Sequence, residues 1–334
     1  MEKLLTVCIP TYNMEALLGR CLDSFILDQE YMDKLQILVV NDGSHDNSSK
    51  IGHEYETKYP NTFKVIDKPN GNYGSCVNAA LKVASGKYFR ICDADDKYDN
   101  ANLKGYLSYL EKATADIVLS SYYVLSYKSE IEKKYIVPDG LLDNTYNLDD
   151  FSFYKNGCQD LRVMHCLATR TRKLIDNNYY QTEGISYTDT QYVFFSFLYA
   201  KTISFFSKVI YHYYLGRDGQ TMSKEALIRS HMQLMQNAER LVSEYTLYKE
   251  PLSANKQECL MNSIFLEIGT FYGFVFSSIK NCKEQMSKLQ ELIYKSKESY
   301  NPCPIEQKLM SFRTYRWWKR YHIPLSIIRF LVNK

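Results

Sequence analysis

The sequence has no Cys-x-x-Cys pair, and its nine cysteines, an odd number, are scattered through apolar runs such as Val7-Cys8-Ile9. That spacing excludes a disulfide framework and a zinc ribbon, and it fits reduced thiols in a cytoplasmic compartment. Neither charge is in excess: 41 Lys and Arg stand against 38 Asp and Glu, so the whole-domain basicity of a nucleic-acid binder is missing and no nucleic-acid partner is expected. The chain opens with Met1-Glu2-Lys3 and runs straight into a strand-like segment without the zones of a signal peptide, so export is not expected. Its most lipid-like stretch, Ile264 to Ile279, carries Glu267 and two glycines and is shorter than a bilayer span of about 20 residues, which reads as a buried helix. No Gly-x-Gly-x-x-Gly follows the first strand, which disfavours a dinucleotide-binding dehydrogenase. What is present is 334 residues with 45% hydrophobic side chains, enough for one large domain or two small ones. Composition gives no account of the 30 tyrosines.

Short strand-like runs alternate with amphipathic helical segments up to about residue 120. Leu5 to Pro10 and Leu35 to Val40 are nearly continuous apolar runs, as expected of parallel strands covered on both faces. Between them Asn13 is a plausible N-cap, and Leu17, Leu18, Cys21, Leu22, Phe25 and Ile26 recur at helical spacing. A second helix is expected near Asp46, a third strand over Phe63 to Ile66, a helix face at Cys76, Val77, Ala80, Leu81 and Ala84, and a fourth strand over Tyr88 to Cys92. This alternation predicts an α/β, doubly wound, mostly parallel sheet, which binds ligands beyond the carboxyl ends of its strands. From 120 to 220 the pattern loosens, with a helix over Asp189 to Ala200 and a strand over Ile203 to Tyr214. Beyond Ser223 the chain is helical. The expected partition is therefore a first domain over 1–222 and a helical region over 223–334.

Four loops fall where such a sheet presents its ligand. Pro10-Thr11-Tyr12-Asn13 follows strand one. Asn41-Asp42-Gly43-Ser44 follows strand two, where an acid can accept hydrogen bonds from a base or ribose, although a plain Asp-Gly turn leading to a Ser cap fits as well. Asn70-Gly71-Asn72-Tyr73-Gly74-Ser75 leads into a helix, with Asn72 and Gly74 placed for close backbone approach to a ligand. Cys92-Asp93-Ala94-Asp95-Asp96 ends strand four. Three carboxylates within four residues repel one another, and a bound cation is the simplest way to make the cluster favourable. Alternate residues of an extended chain leave on opposite faces, so Asp93 and Asp95 can do different jobs only if the strand ends there.

Together these motifs resemble the family 2 glycosyltransferases, inverting enzymes of the GT-A fold, over roughly the first 220 residues. The resemblance implies a nucleotide-sugar donor, UDP-linked for preference, and Mn²⁺ or Mg²⁺. It places Asp42 on the nucleoside, Asp93 on the ribose, Asp95 on the metal, and Thr11 and Tyr12 along the nucleotide pocket beside Pro10. Tyr187-Thr188-Asp189 resembles the family's acidic pair, with Thr188 replacing the first acid and Asp189 standing as the catalytic base. The stretch Tyr211 to Ser223 is similar to a bacterial Gly-Arg loop, in which Arg217 or His212 would neutralise the leaving diphosphate; His212 is also counted with Asp95 as a metal ligand. His165, on an apolar strand, is read as a satisfied core histidine. The processive Gln-x-x-Arg-Trp motif is absent, which favours one transfer per encounter.

Residues 308–334 carry seven Lys/Arg, no Asp/Glu and the aromatics Phe312, Tyr315, Trp317, Trp318 and Tyr321. Such a tail suits the interface of an anionic membrane, where a polyprenyl-linked sugar or another glycan acceptor would lie. The expected location is the cytoplasm, at the inner face of the membrane. Two other readings stand beside transfer: a sugar nucleotidyltransferase, and a nucleotide-sugar binding module without catalysis.

Overall fold

The computed structural model describes residues 2–142, 144–216, 224–248, 250–279, 282–299 and 304–332. They form two compact units, Met1–Asp218 with Leu252–Cys259, and Gly219–Pro251 with Leu260–Lys334.

In the first unit, β1 (Leu5–Thr11), β2 (Leu35–Asn41), β3 (Phe63–Asp67) and β4 (Tyr88–Ile91) run parallel in the spatial order β3-β2-β1-β4. The apolar runs of β1, β2 and β4 are buried on both faces, the condition that makes a parallel strand read as continuous hydrophobic sequence, whereas β3 alternates buried and exposed residues. Helices α1 (Leu18–Asp23), α2 (Gln29–Met32), α3 (Ser48–Lys58) and α4 (Asn72–Leu81) cross between them. Register aligns Thr11 with Asn41 and Asn41 with Asp67, so the loops that follow open along one edge.

Two helix starts differ from expectation. Asn13 does not cap α1: it adopts a left-handed φ of 53°, and its side chain accepts the His45 N–H at 2.8 Å while its own N–H donates to Ser44 Oγ at 3.0 Å. The residue joins the loops after β1 and β2, and the helix waits until Leu18. Asp46 likewise accepts the N–H groups of Glu15 and Ser48, and α3 begins only at Ser48.

The sheet continues β4-β9-β6-β10-β5 through β5 (Lys97–Tyr98), β6 (Ile117–Ser126), β9 (Leu167–Arg170) and β10 (Thr202–Leu215). β9 is antiparallel to both β4 and β6, while β10 runs parallel to β6. β7 (Ile131–Tyr135) makes a hairpin with β6, and β8 (Thr145–Asn147) pairs with β10. α5 (Asn100–Lys112), α6 (Thr171–Ile175) and α7 (Asp189–Tyr199) complete the unit. α5 is capped by Asp99, whose carboxylate accepts the Asn102 N–H at 3.0 Å.

The second unit comprises α8 (Lys224–Leu247), most of α9 (Ala254–Ser278), α10 (Lys283–Ser299), α11 (Pro304–Ser311), α12 (Arg313–Tyr321) and α13 (Leu325–Val332). α8 buries Leu227, Leu234, Leu241 and Tyr245 at helical spacing, a single core-facing stripe. Among the described residues α9 is the one helix long and apolar enough to cross a membrane, and 61% of its apolar window is buried inside the protein. The division expected at 222 is crossed once, because the first turn of α9 is tied to the first unit. Asn255 donates to the Asp149 carbonyl at 2.9 Å, Lys256 to the Ala200 carbonyl at 3.0 Å, and Glu258 pairs with Arg162 at 3.3 Å.

Candidate active site

Asp42 sits just beyond β2, 3% exposed. Its Oδ1 accepts from Lys68 Nζ at 2.5 Å and from the Gly71 N–H at 2.9 Å, and its Oδ2 accepts from Asn70 Nδ2 at 3.1 Å. One buried carboxylate thereby folds the 68–71 loop back over the strand end. Gly43 makes the approach feasible, since at φ 72° an added Cβ would lie 3.0 Å from the Asn70 nitrogen. Thr11 is buried with its hydroxyl on the Ile9 carbonyl, Pro10 is partly exposed, and Tyr12 is 43% exposed with its edge against His45. Asn72 opens α4 at a left-handed φ of 64° and accepts the Ser75 hydroxyl on its carbonyl at 2.6 Å. This is a polar edge with a buried acid at its base.

At the end of β4 the chain does not stay extended. The Asp96 N–H bonds the Asp93 carbonyl at 3.0 Å, closing a turn with Ala94 and Asp95 at its corner. The turn brings Asp93 and Asp96 together. Asp96 is fully buried, with Tyr211 OH donating to Oδ2 at 2.6 Å and the Tyr214 N–H to Oδ1 at 2.7 Å; the same Tyr211 oxygen accepts the Asp93 N–H at 3.1 Å. Asp93 accepts from Tyr73 OH at 2.8 Å. Burial, and next the charge of Asp95, push the Asp93 carboxyl up to about 7; burial followed by Asp93 and Asp95 raises Asp96 well above the usual carboxylate range.

His165 joins this pair. The ligand atoms of Asp93, Asp96 and His165 all lie within 4.8 Å of one another, close enough to share one ion. Arg90, fully buried in β4, donates to the His165 carbonyl at 2.6 Å and to Tyr106 and Ser120 at 3.1 Å each, and so fixes the 3-10 turn Met164–Cys166 that carries the imidazole. Burial and then the Arg90 charge push the His165 pKa down to about 3, leaving a neutral ring with a lone pair to offer.

The expected metal ligands are placed differently. Asp95 is half-buried at the turn's corner, with its carbonyl accepting from the Arg20 guanidinium and its charge felt by both Asp93 and Asp96. His212 is not brought to the carboxylates: it follows Tyr211 on β10 and leaves on the opposite face, where its ring stacks on Tyr123 and its Nε2 lies 3.4 Å from Asp99. Arg217 lies outside the described residues.

Asp189, half-buried, is the first residue of α7. Its carboxylate accepts its own N–H and that of Thr190, yet burial is the larger effect and its pKa is raised; its charge reaches Asp93, Tyr73 and Tyr213. The position is built from behind. Asn78 on α4 exchanges two 2.8 Å hydrogen bonds with the Gln181 backbone, Gln181 Nε2 donates to the carbonyl and hydroxyl of Thr188, and Gln191 accepts the Thr182 N–H. Thr188, fully buried, thus serves the fold where the resemblance leads one to expect an acid. Gly74 lets α4 come this close, since an added Cβ would stand 2.0 Å from the Thr182 carbonyl oxygen.

The Glycosyl transferase family 2 profile matches residues 6–171, from β1 through β9. This chain belongs to that family. A glycosyltransferase of Mycoplasma pneumoniae, the MG025 homolog, whose own function is uncharacterized, is 38% identical over 137 residues, covering 40% of this chain and 44% of that protein. The poly(ribitol-phosphate) beta-glucosyltransferase of Bacillus spizizenii is 26% identical over 227 residues, 66% of this chain and 33% of the other. The matches therefore span less than half the length of these relatives. The S. aureus TarS 1–349 structure in complex with UDP-GlcNAc is similar with a TM-score of 0.67 at 20% identity, covering 99% of this chain and 90% of that one. The fold is accordingly GT-A-like, a mostly parallel sheet followed by a helical C-terminal region.

A paired substitution tests the support behind Asp189. Glycine in a helix ordinarily costs about 1 kcal/mol against alanine, so Gly273→Ala in α9, with open space around it, should gain up to that amount. Gly74→Ala should instead lose about 1–3 kcal/mol in urea unfolding because the methyl collides with backbone; a gain at both sites would contradict the packing.

Proposed function

We propose that this chain moves a sugar with inversion from a nucleotide-sugar donor, UDP-linked for preference, onto a hydroxyl of a glycan or lipid-linked acceptor. The observation that carries the reading is the placement of Asp189 within electrostatic reach of Asp93 across Tyr73. That arrangement gives a base on one side and a cation-seeking carboxylate cluster on the other. Asp42 and the loop it holds would take the nucleoside, flanked by Pro10, Thr11, Tyr12 and Asn72. Burial raises the pKa of Asp189, which makes it a better proton acceptor than an ordinary aspartate. It would remove the acceptor proton as the oxygen attacks the anomeric carbon opposite the leaving nucleotide.

Asp93, Asp96 and His165 suit a divalent ion, with Asp95 close enough to add its field; two carboxylates and one imidazole favour Mn²⁺ over Mg²⁺. Such an ion, when bound, supplies charge to offset that building on the departing diphosphate. The similarity to a poly(ribitol-phosphate) beta-glucosyltransferase supports a cell-surface glycan as the acceptor class. Lys319 and Arg320 are exposed on α12, and we extend the proposal to peripheral contact with the inner face of the membrane, the chain itself being cytoplasmic.

Incubation with a panel of nucleotide sugars, acceptor extracts and Mn²⁺ should release free nucleoside diphosphate; pyrophosphate would mark nucleotidyl transfer instead. Asp189→Asn should keep the donor Kd within about threefold while transfer falls by roughly 10²–10⁴, the range for loss of a general base. A parallel fall in donor binding would make Asp189 structural. For the tail, sedimentation with anionic vesicles should lose most of the bound protein when residues 308–334 are removed, and equal recovery with and without them would refute membrane contact.

A further inference from the structure

The β6–β7 hairpin carries an aromatic row that the reaction as proposed does not use. On one face of the sheet Tyr135 stacks on its cross-strand partner Tyr122 with ring centroids 4.5 Å apart and planes 3° from parallel. Tyr122 stacks in turn on His165 at 5.5 Å and 15°. His165 packs on Tyr213 at 4.2 Å and against Tyr211 at 5.0 Å, and the Tyr211 hydroxyl holds Asp96. Register explains the continuity: Tyr135, Tyr122 and Tyr211 are successive partners across β7, β6 and β10. The row begins at a solvent edge, where β7 is exposed apart from the half-buried Tyr135, and ends at the carboxylates.

The outer end is polar as well as aromatic. The Lys133 ammonium lies 5.1 Å from the Tyr135 ring centroid, and the exposed Asp160 acts electrostatically on both Lys133 and Tyr122. A pyranose has one face of C–H bonds, which a flat aromatic ring can cover, and a rim of hydroxyls, which an ammonium and a carboxylate can bond. A phosphate-bearing open-chain polyol offers no such flat face.

Resting on the transfer reading above, we infer that Tyr135, backed by Tyr122 and flanked by Lys133, is a subsite for a pyranose unit of the acceptor. Stacking of Tyr135 on Tyr122 fixes the ring before the sugar arrives, which lowers the ordering cost of binding.

The test is saturation-transfer NMR on the full chain with UDP and Mn²⁺, using methyl β-glucopyranoside, methyl β-galactopyranoside and ribitol 5-phosphate as probes. At least one pyranoside should receive saturation from the wild type, falling about fivefold or more in Tyr135→Ala, the scale of one aromatic contact, and surviving in Tyr135→Phe. Tyr154→Ala, at a tyrosine 75% exposed elsewhere, should change nothing. If Tyr135→Ala does not fold, Lys133→Met should weaken the same signal. No transfer to either pyranoside, equal transfer in Tyr135→Ala, or binding of ribitol 5-phosphate alone would overturn the subsite. A UDP titration separates the two failures: absence of UDP binding sinks the donor reading, whereas UDP binding with an unaffected pyranoside signal sinks only this one.

Discussion

Four carboxylates, Asp93, Asp95, Asp96 and Asp189, gather at the carboxyl edge of the sheet, and the mutual repulsion of these buried and half-buried acids is the constraint that the surrounding structure answers. Asp93, Asp96 and Asp189 all have raised carboxyl pKa values, first because burial takes them out of water and, for Asp93 and Asp96, next because the charges of neighbouring aspartates add to it. Such a cluster stores unfavourable energy in the folded protein unless something positive enters. Its persistence is intelligible as preparation for a cation and the diphosphate that comes with it.

The neighbouring elements read as means of holding that cluster in place. Tyr211 spans Asp93 and Asp96, Tyr73 holds the other side of Asp93, and buried Arg90 fixes the turn bearing His165 without itself pairing with a carboxylate. The Asn78–Gln181–Thr188 chain of hydrogen bonds does the same for Asp189 from a different helix. A few of the tyrosines serve here, Tyr73 and Tyr211 as hydroxyls on acids and Tyr122, Tyr135 and Tyr213 as rings along β6, β7 and β10.

How much of this was legible depends on how local each signal is. β1 to β4 and the loops holding Asp42, Asp93 and Asp189 could be read because apolar runs and strand-end polar residues are adjacent in sequence. Asp95 and His212 were read as metal ligands from the resemblance, whereas the turn closed by the Asp93 carbonyl and Asp96 N–H sets Asp96 beside Asp93, and His212 stacks on Tyr123. His165 looked like a core residue because nothing near it in sequence announces that Arg90, 75 positions earlier, holds it at the site. The antiparallel insertion of β9 between β4 and β6 escaped for the same reason, since pairing over such separations leaves no periodic trace. Asn13 and Thr188 show the converse: residues with familiar local roles are recruited for contacts between loops.

The central claim is most directly tested by thermal unfolding of wild type and Asp93→Asn across pH, with and without Mn²⁺. The folded-state pKa of Asp93 is raised, so protonation favours the native state and stability is lost as pH climbs from the ordinary carboxylate value through about 7. Without metal, the neutral variant should therefore unfold a few degrees higher than wild type near pH 8, the gap should close by about pH 4, and Mn²⁺ should raise the Tm of wild type far more than that of the variant. A gap that is the same at both pH values, or an equal response to Mn²⁺, would contradict the account.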